Sequence, residues 1–86
     1  MVINIKCEES SLLKEINYYK NIETDIGNLI ATFKNNTIYL YKNVSIGDFI
    51  PLVHNKFISI GAAFNHHIKR EYTGINITNE TENNNA

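Results

Sequence analysis

Leu29–Lys42 reads LIATFKNNTIYLYK, two alternating apolar runs, Leu29–Phe33 and Thr37–Lys42, on either side of Lys34-Asn35-Asn36. Alternation with a period of two is the pattern of a half-buried strand, and asparagine tolerates the positive φ that a tight turn demands, so the stretch predicts a β-hairpin. Leu29, Ala31 and Phe33 fall on one face of the first strand, while Ile38 and Leu40 oppose Tyr39 and Tyr41 on the second. We read one aliphatic face covered by helices and one phenolic face left half-exposed. A sharper reading makes Tyr39 and Tyr41 a stacking platform, because single-stranded nucleic acid is often held on aromatic rings.

Upstream, Met1–Ile5 alternates weakly and suits a short edge strand. The second half of Ser11–Tyr19 (Ile16, Tyr18, Tyr19) favours a strand over a helix. Downstream the period changes to that of a helix. Ser45 reads as an N-cap with Asp48 at the third helical position, and Ile46, Phe49, Ile50 and Val53 form one stripe. Pro51 lies too deep in this segment to be neutral, which predicts a kink or a short helix. Asn55-Lys56 then serves as a loop. The chain thus reads as α+β, a small antiparallel sheet of three to four strands followed by two helices.

The second helix is the most informative segment. With Ser59 as its cap, Ile60, Phe64, Ile68 and Tyr72 recur every fourth residue and define a buried stripe. His67 and Glu71, four apart at its edge, are placed to pair. Asn65 with Lys69, and His66 with Arg70, occupy the far side. Gly61 and Ala62 leave the first turn open to close approach, where free N–H groups attract anions. This face suits a phosphate-bearing ligand; the plain alternative is a solvated surface.

Composition narrows the function classes. A chain of 86 residues is one small domain that buries only about 60% of its unfolded surface, and oligomerisation is a common way to complete so small a core. We therefore expect a homo-oligomer. The net charge of −1 disfavours a protein that coats nucleic acid by bulk electrostatics. The single cysteine, Cys7, cannot form an internal disulfide, and Glu8 and Glu9 beside it would raise its pKa, so it reads as a quiet structural thiol in a cytoplasmic protein. MVINIKCEES offers no leader and no membrane span. Fourteen Asn, fourteen Ile and one Arg point to an AT-rich genome, that of a low-GC bacterium or its phage. Residues 1–74 form the domain, and the polar stretch 75–86, INITNETENNNA from Ile75 on, is expected to be a mobile tail.

No catalytic constellation emerges. His66 and His67 are consecutive and point about 100° apart on a helix, so they cannot grip one metal as an i, i+4 pair does. Cys7 and His54 are remote. Neither enzyme nor cofactor is expected.

The spacing Ser59-x-Gly61-x-x-Phe64-Asn65-x-x-Ile68-Lys69-x-x-Tyr72 resembles the KTSC domain, a family named for a C-terminal domain of some lysyl-tRNA synthetases. The resemblance runs from about Ser10 to Tyr72, through Ser11, Ile16, Tyr18, Leu29, Phe33, Tyr39, Tyr41, Val44, Phe49 and Leu52. The chain departs from the pattern at Ser45, where the family tends to have proline, and at Asn35-Asn36, where glycine is common. The resemblance implies a small α+β domain, with Ser59, Gly61, Asn65, Lys69 and Tyr72 at a shared site and RNA binding as the family's usual suggestion. Three expectations stand together: a module for a nucleotide-type small molecule, such as a phage protein sequestering host signalling nucleotides; an RNA-binding module; and a structural interaction domain.

Overall fold

The computed structural model describes residues 1–54 and 58–79. The chain is an α+β fold in which an antiparallel meander, β1 (Val2–Lys6), β2 (Leu13–Lys20), β3 (Ile26–Phe33) and β4 (Ile38–Ser45), precedes two helices, α1 (Ile46–His54) and α2 (Ile60–Phe64). The sheet has one strand more than expected. β5 (Gly74–Asn76) returns after the helices to pair with Tyr39–Tyr41 of β4, giving five strands in chain order. The start of the expected tail is therefore ordered: Ile75 faces Leu40, and Thr78 Oγ accepts from the Ile38 N–H at 2.8 Å. Residues 80–86, and the Asn55-Lys56 loop, lie outside the described residues.

The Leu29–Lys42 hairpin forms as read, with a detail that reverses its faces. Phe33 N–H donates to Thr37 C=O at 2.9 Å, so the loop is the three residues 34–36, and Asn36 takes the positive φ of 69°. Asn35 Oδ1 instead accepts from the Thr37 N–H at 3.0 Å. This closure sets Ala31 opposite Tyr39 and Leu29 opposite Tyr41. Directly opposed residues share a sheet face, so the tyrosines join Leu29 and Ala31 under the helices, and Ile38 and Leu40 turn to the outer face. The expected split into an aliphatic inner and a phenolic outer face is overturned.

The inner face is the core. Leu13, Ile16, Tyr18, Leu29, Ala31, Val44, Phe64 and Ile68 are fully buried. Tyr18 stacks on Phe49 at 4.3 Å between centroids, and its hydroxyl donates to Val44 C=O at 2.7 Å, which satisfies the one polar atom it carries inside. Phe64 meets Tyr41 and Phe33 edge-on, each at 5.6 Å.

Ser45 caps α1 as read: Asp48 N–H donates to Ser45 Oγ at 3.2 Å, and the Ser45 hydroxyl donates to Asp48 Oδ2 at 3.0 Å. The helix is short, nine residues with Pro51 inside. Its buried side is Phe49 and Leu52, while Ile50 and Val53 are exposed, contrary to the expected stripe. Ser59 caps α2 by accepting from Ala62 N–H at 3.1 Å. From Asn65 to Lys69 the helix widens into a π-helical turn, closed by Arg70 N–H to Asn65 C=O at 3.2 Å.

Candidate functional site

Two neighbouring regions hold the residues singled out above: a trough beside the first turn of α2 and the outward side of the π turn that follows. The trough lies between the β1–β2 connection and α2. One part, about 340 Å³, is lined by Glu9, Ser11, Leu12, Gly61, Ala62 and Asn65, together with Ser10 and Ser59. A second part, about 500 Å³, shares Glu9, Ser10 and Ser59 and continues past Lys6, Cys7 and Glu8. Both are within the size range of small-molecule sites.

Local structure explains each wall. Ser10 Oγ accepts from the Leu12 and Leu13 N–H groups at 3.1 and 3.0 Å, which starts β2 and fixes the loop. A Cβ on Gly61 would sit 3.4 Å from that oxygen, at the near edge of ordinary contact, so the first turn of α2 packs directly against the loop. Ser10 and Ser59 each spend their oxygen as an acceptor for backbone N–H and keep an O–H proton to donate at the trough. Ala62 and Asn65 are exposed on the opposite wall.

Beyond Asn65, the side chains of His66, Lys69 and Arg70 are exposed on the π turn. Among the described residues the only ion pair is Lys6 with Glu15 at 2.8 Å, so Lys69 and Arg70 have no ion-pair partner among them. His67 does not pair with Glu71. The wide turn and the following bend send the Glu71 N–H to Ile68 C=O at 3.2 Å, and the His67 ring stands edge-on to His66 at 4.8 Å.

Three expected site residues are elsewhere. Tyr72 is a clamp: its hydroxyl donates to Asp48 Oδ2 at 2.6 Å and accepts from the Ser45 N–H at 3.1 Å, tying the end of the second helical segment to the cap of the first. Tyr41 is buried, its pKa raised by burial and then by Tyr39. Tyr39 is half-buried with its ring against Phe33 at 5.7 Å. Neither ring face is a free platform, so the stacking reading fails for them. Gly74 explains the cover: a Cβ there would meet Tyr41 Cε1 at 2.9 Å and Tyr39 Cδ2 at 3.0 Å, so β5 passes directly over both rings.

The wall formed by Glu9, Ser10, Ser11 and Leu12 was not singled out from sequence. Its one signal was that the family resemblance begins at Ser10 and Ser11, some fifty residues from α2. Cys7 is buried, and its thiol pKa is raised chiefly by burial and next by Glu15, not by the adjacent Glu8 and Glu9. No group of three or more His, Cys, Asp or Glu among the described residues could hold a metal ion. Nor is any described helix long and apolar enough to cross a membrane. No protein-family model, curated protein or solved structure matches the chain.

Proposed function

We propose that the protein is a non-catalytic binding protein for a phosphate-bearing, nucleotide-type ligand. The observation that carries this reading is that Asn65, on the wall of the trough, shares its π turn with Lys69, with Arg70 the next residue, and that both cations are without an ion-pair partner among the described residues. The Arg70 guanidinium forks two bonds onto a phosphate and Lys69 adds a mobile point charge. The Ser10 and Ser59 hydroxyls and the Asn65 amide then meet the polar edge of a base or sugar, and Glu9 accepts from sugar hydroxyls at a distance from the phosphate. The spacing shared with the KTSC domain supports kinship with that family and the same site. In a phage or mobile element such a protein would sequester host signalling nucleotides.

Calorimetric titration with mononucleotides and dinucleotides tests the reading. Wild type should saturate with weak salt dependence, Lys69→Ala with Arg70→Ala should abolish the heat of binding, and Ala62→Phe should weaken it by filling the trough. An affinity for single-stranded RNA that falls steeply with salt, as released counterions require, would move the assignment to RNA. Absence of binding by either class at millimolar concentration, or a double variant that binds as well as wild type, overturns it.

A further inference from the structure

The two edges of the sheet are treated differently. On the β4 side, pairing is finished off by the three-residue β5, by Thr78 on the backbone of Ile38, by Asn43 with its φ of 57° and by the Tyr72 hydroxyl on the Ser45 N–H. Short strands and irregular backbone are common ways of closing an edge to further pairing. β1 has none of these devices. It is five regular residues without proline, glycine or positive φ.

Hydrogen bonding fixes which of its backbone groups are free. Met1 C=O accepts from Lys20 N–H at 3.0 Å and Cys7 N–H donates to Lys14 C=O at 3.0 Å. In an antiparallel pair, alternate residues turn towards the partner strand. Ile3 and Ile5 therefore bond to β2, and Val2, Asn4 and Lys6 aim their N–H and C=O groups away from the sheet. No described residue meets these groups.

The side chains that would guard this edge are folded back. A lysine on an edge strand normally discourages pairing, yet Lys6 Nζ reaches inward to Glu15 at 2.8 Å. The Asn4 amide likewise bonds inward, to Glu15 at 2.9 Å and Asn17 at 2.7 Å. Among the described residues nothing covers this edge.

We propose that β1 pairs antiparallel with β1 of a second copy about a two-fold axis at Asn4, joining two sheets into one. The sequence VINIK is nearly symmetric about that residue, which selects a second copy over an unrelated strand. Asn4 faces the partner's Asn4, Ile3 faces the partner's Ile5 on the core side, and Val2 lies along the stem of the partner's Lys6. Ile3 and Ile5, only partly buried in the single chain, gain cover. The two Lys6 side chains lie at opposite ends of the contact, with no like charges facing. The three outward residues supply about six backbone hydrogen bonds, two for each facing pair.

Cysteine placed at Asn4 reads the register directly. Facing residues in such a pair have Cα atoms about 5.5 Å apart, within disulfide reach. Two cysteines at Val2 would be separated by about 13 Å, four residues along the strand, and out of reach. We expect light scattering to report a dimer at high micromolar concentration. Asn4→Cys should give a covalent dimer under oxidation or with a short thiol crosslinker, and Val2→Cys should not. Asn4→Pro removes an N–H that β2 does not use, so the fold should persist while association weakens at least about tenfold from the loss of two backbone hydrogen bonds. A wild-type monomer, equal crosslinking at both positions, absence of crosslinking at Asn4 in a dimer, or a folded Asn4→Pro dimer of undiminished affinity would each overturn the proposal.

Discussion

The two sides of Ser59–Tyr72 differ in how completely their groups are used. On the inner side Phe64 and Ile68 are fully buried and the Tyr72 hydroxyl makes both of its bonds to Ser45 and Asp48. On the outer side Asn65, His66, Lys69 and Arg70 are exposed, and the last two carry charges that no described carboxylate offsets. One side holds the helices to the sheet, and the Lys69 and Arg70 charges of the other have no ion-pair partner among the described residues. Side chains that the fold does not need are the ones free to bind.

Substitutions along the segment should separate the two sides by size of effect. Phe64→Ala should be worst, about 3–5 kcal/mol in a denaturant titration, because a large core aromatic is lost between Tyr41 and Phe33; a loss under about 1 kcal/mol would contradict its central place. Tyr72→Phe keeps the ring and removes the clamp, leaving the Ser45 N–H and the Asp48 carboxylate short of a partner, at a cost of about 1.5–3 kcal/mol. A melting temperature equal to wild type would show that the clamp is not formed. Ser59→Ala should cost about 1 kcal/mol through the lost cap, with Ser59→Asp restoring most of it. Lys69→Ala with Arg70→Ala should change stability by under about 0.5 kcal/mol while removing ligand binding. A larger loss of stability would place these two side chains with the inner group.

Alkaline titration tests the inner side without mutation. Burial is the first cause of the raised pKa of both Tyr18 and Tyr41, followed by Tyr72 and Asp25 for Tyr18 and by Tyr39 for Tyr41. With folded values above the unfolded value of about 10, their contribution is whole below that pH and is lost as pH rises through the folded values. Tyrosine absorbance should therefore show two rings that ionise late, together with unfolding. Five rings titrating together before unfolding would contradict the burial.

Much of this inner side was readable from residues alone. Phe64, Ile68 and Tyr72 repeat every fourth position, and Ser45 and Ser59 announce their helices by local chemistry that needs no tertiary partner. The Asn35-Asn36 turn was equally local. The facing of Tyr39 and Tyr41 was not, because it depends on register, and register depends on whether the loop holds two residues or three. β5 escaped for a related reason: Gly74, Ile75 and Asn76 have little strand preference as a set, and they become a strand only where β4 offers unpaired backbone. The trough joins Ser10 to Ser59, some fifty residues apart in the chain, and no periodicity spans that separation. His67 and Glu71 do not pair because the helix widens just where an i, i+4 contact requires 3.6 residues per turn.

The same widening bears on how the segment can change length. The turn holds one residue more than ordinary winding needs, since Arg70 N–H reaches back five residues to Asn65 C=O where an α-helix reaches back four. Removing one exposed residue from Asn65–Lys69 would return the segment to α-helical winding while leaving Tyr72 near Asp48 and Gly74 near the tyrosine rings. A second deletion finds no spare residue to absorb it: every side chain beyond would rotate by about 100° and retreat by about 1.5 Å, and both the clamp and the fifth strand would have to be rebuilt.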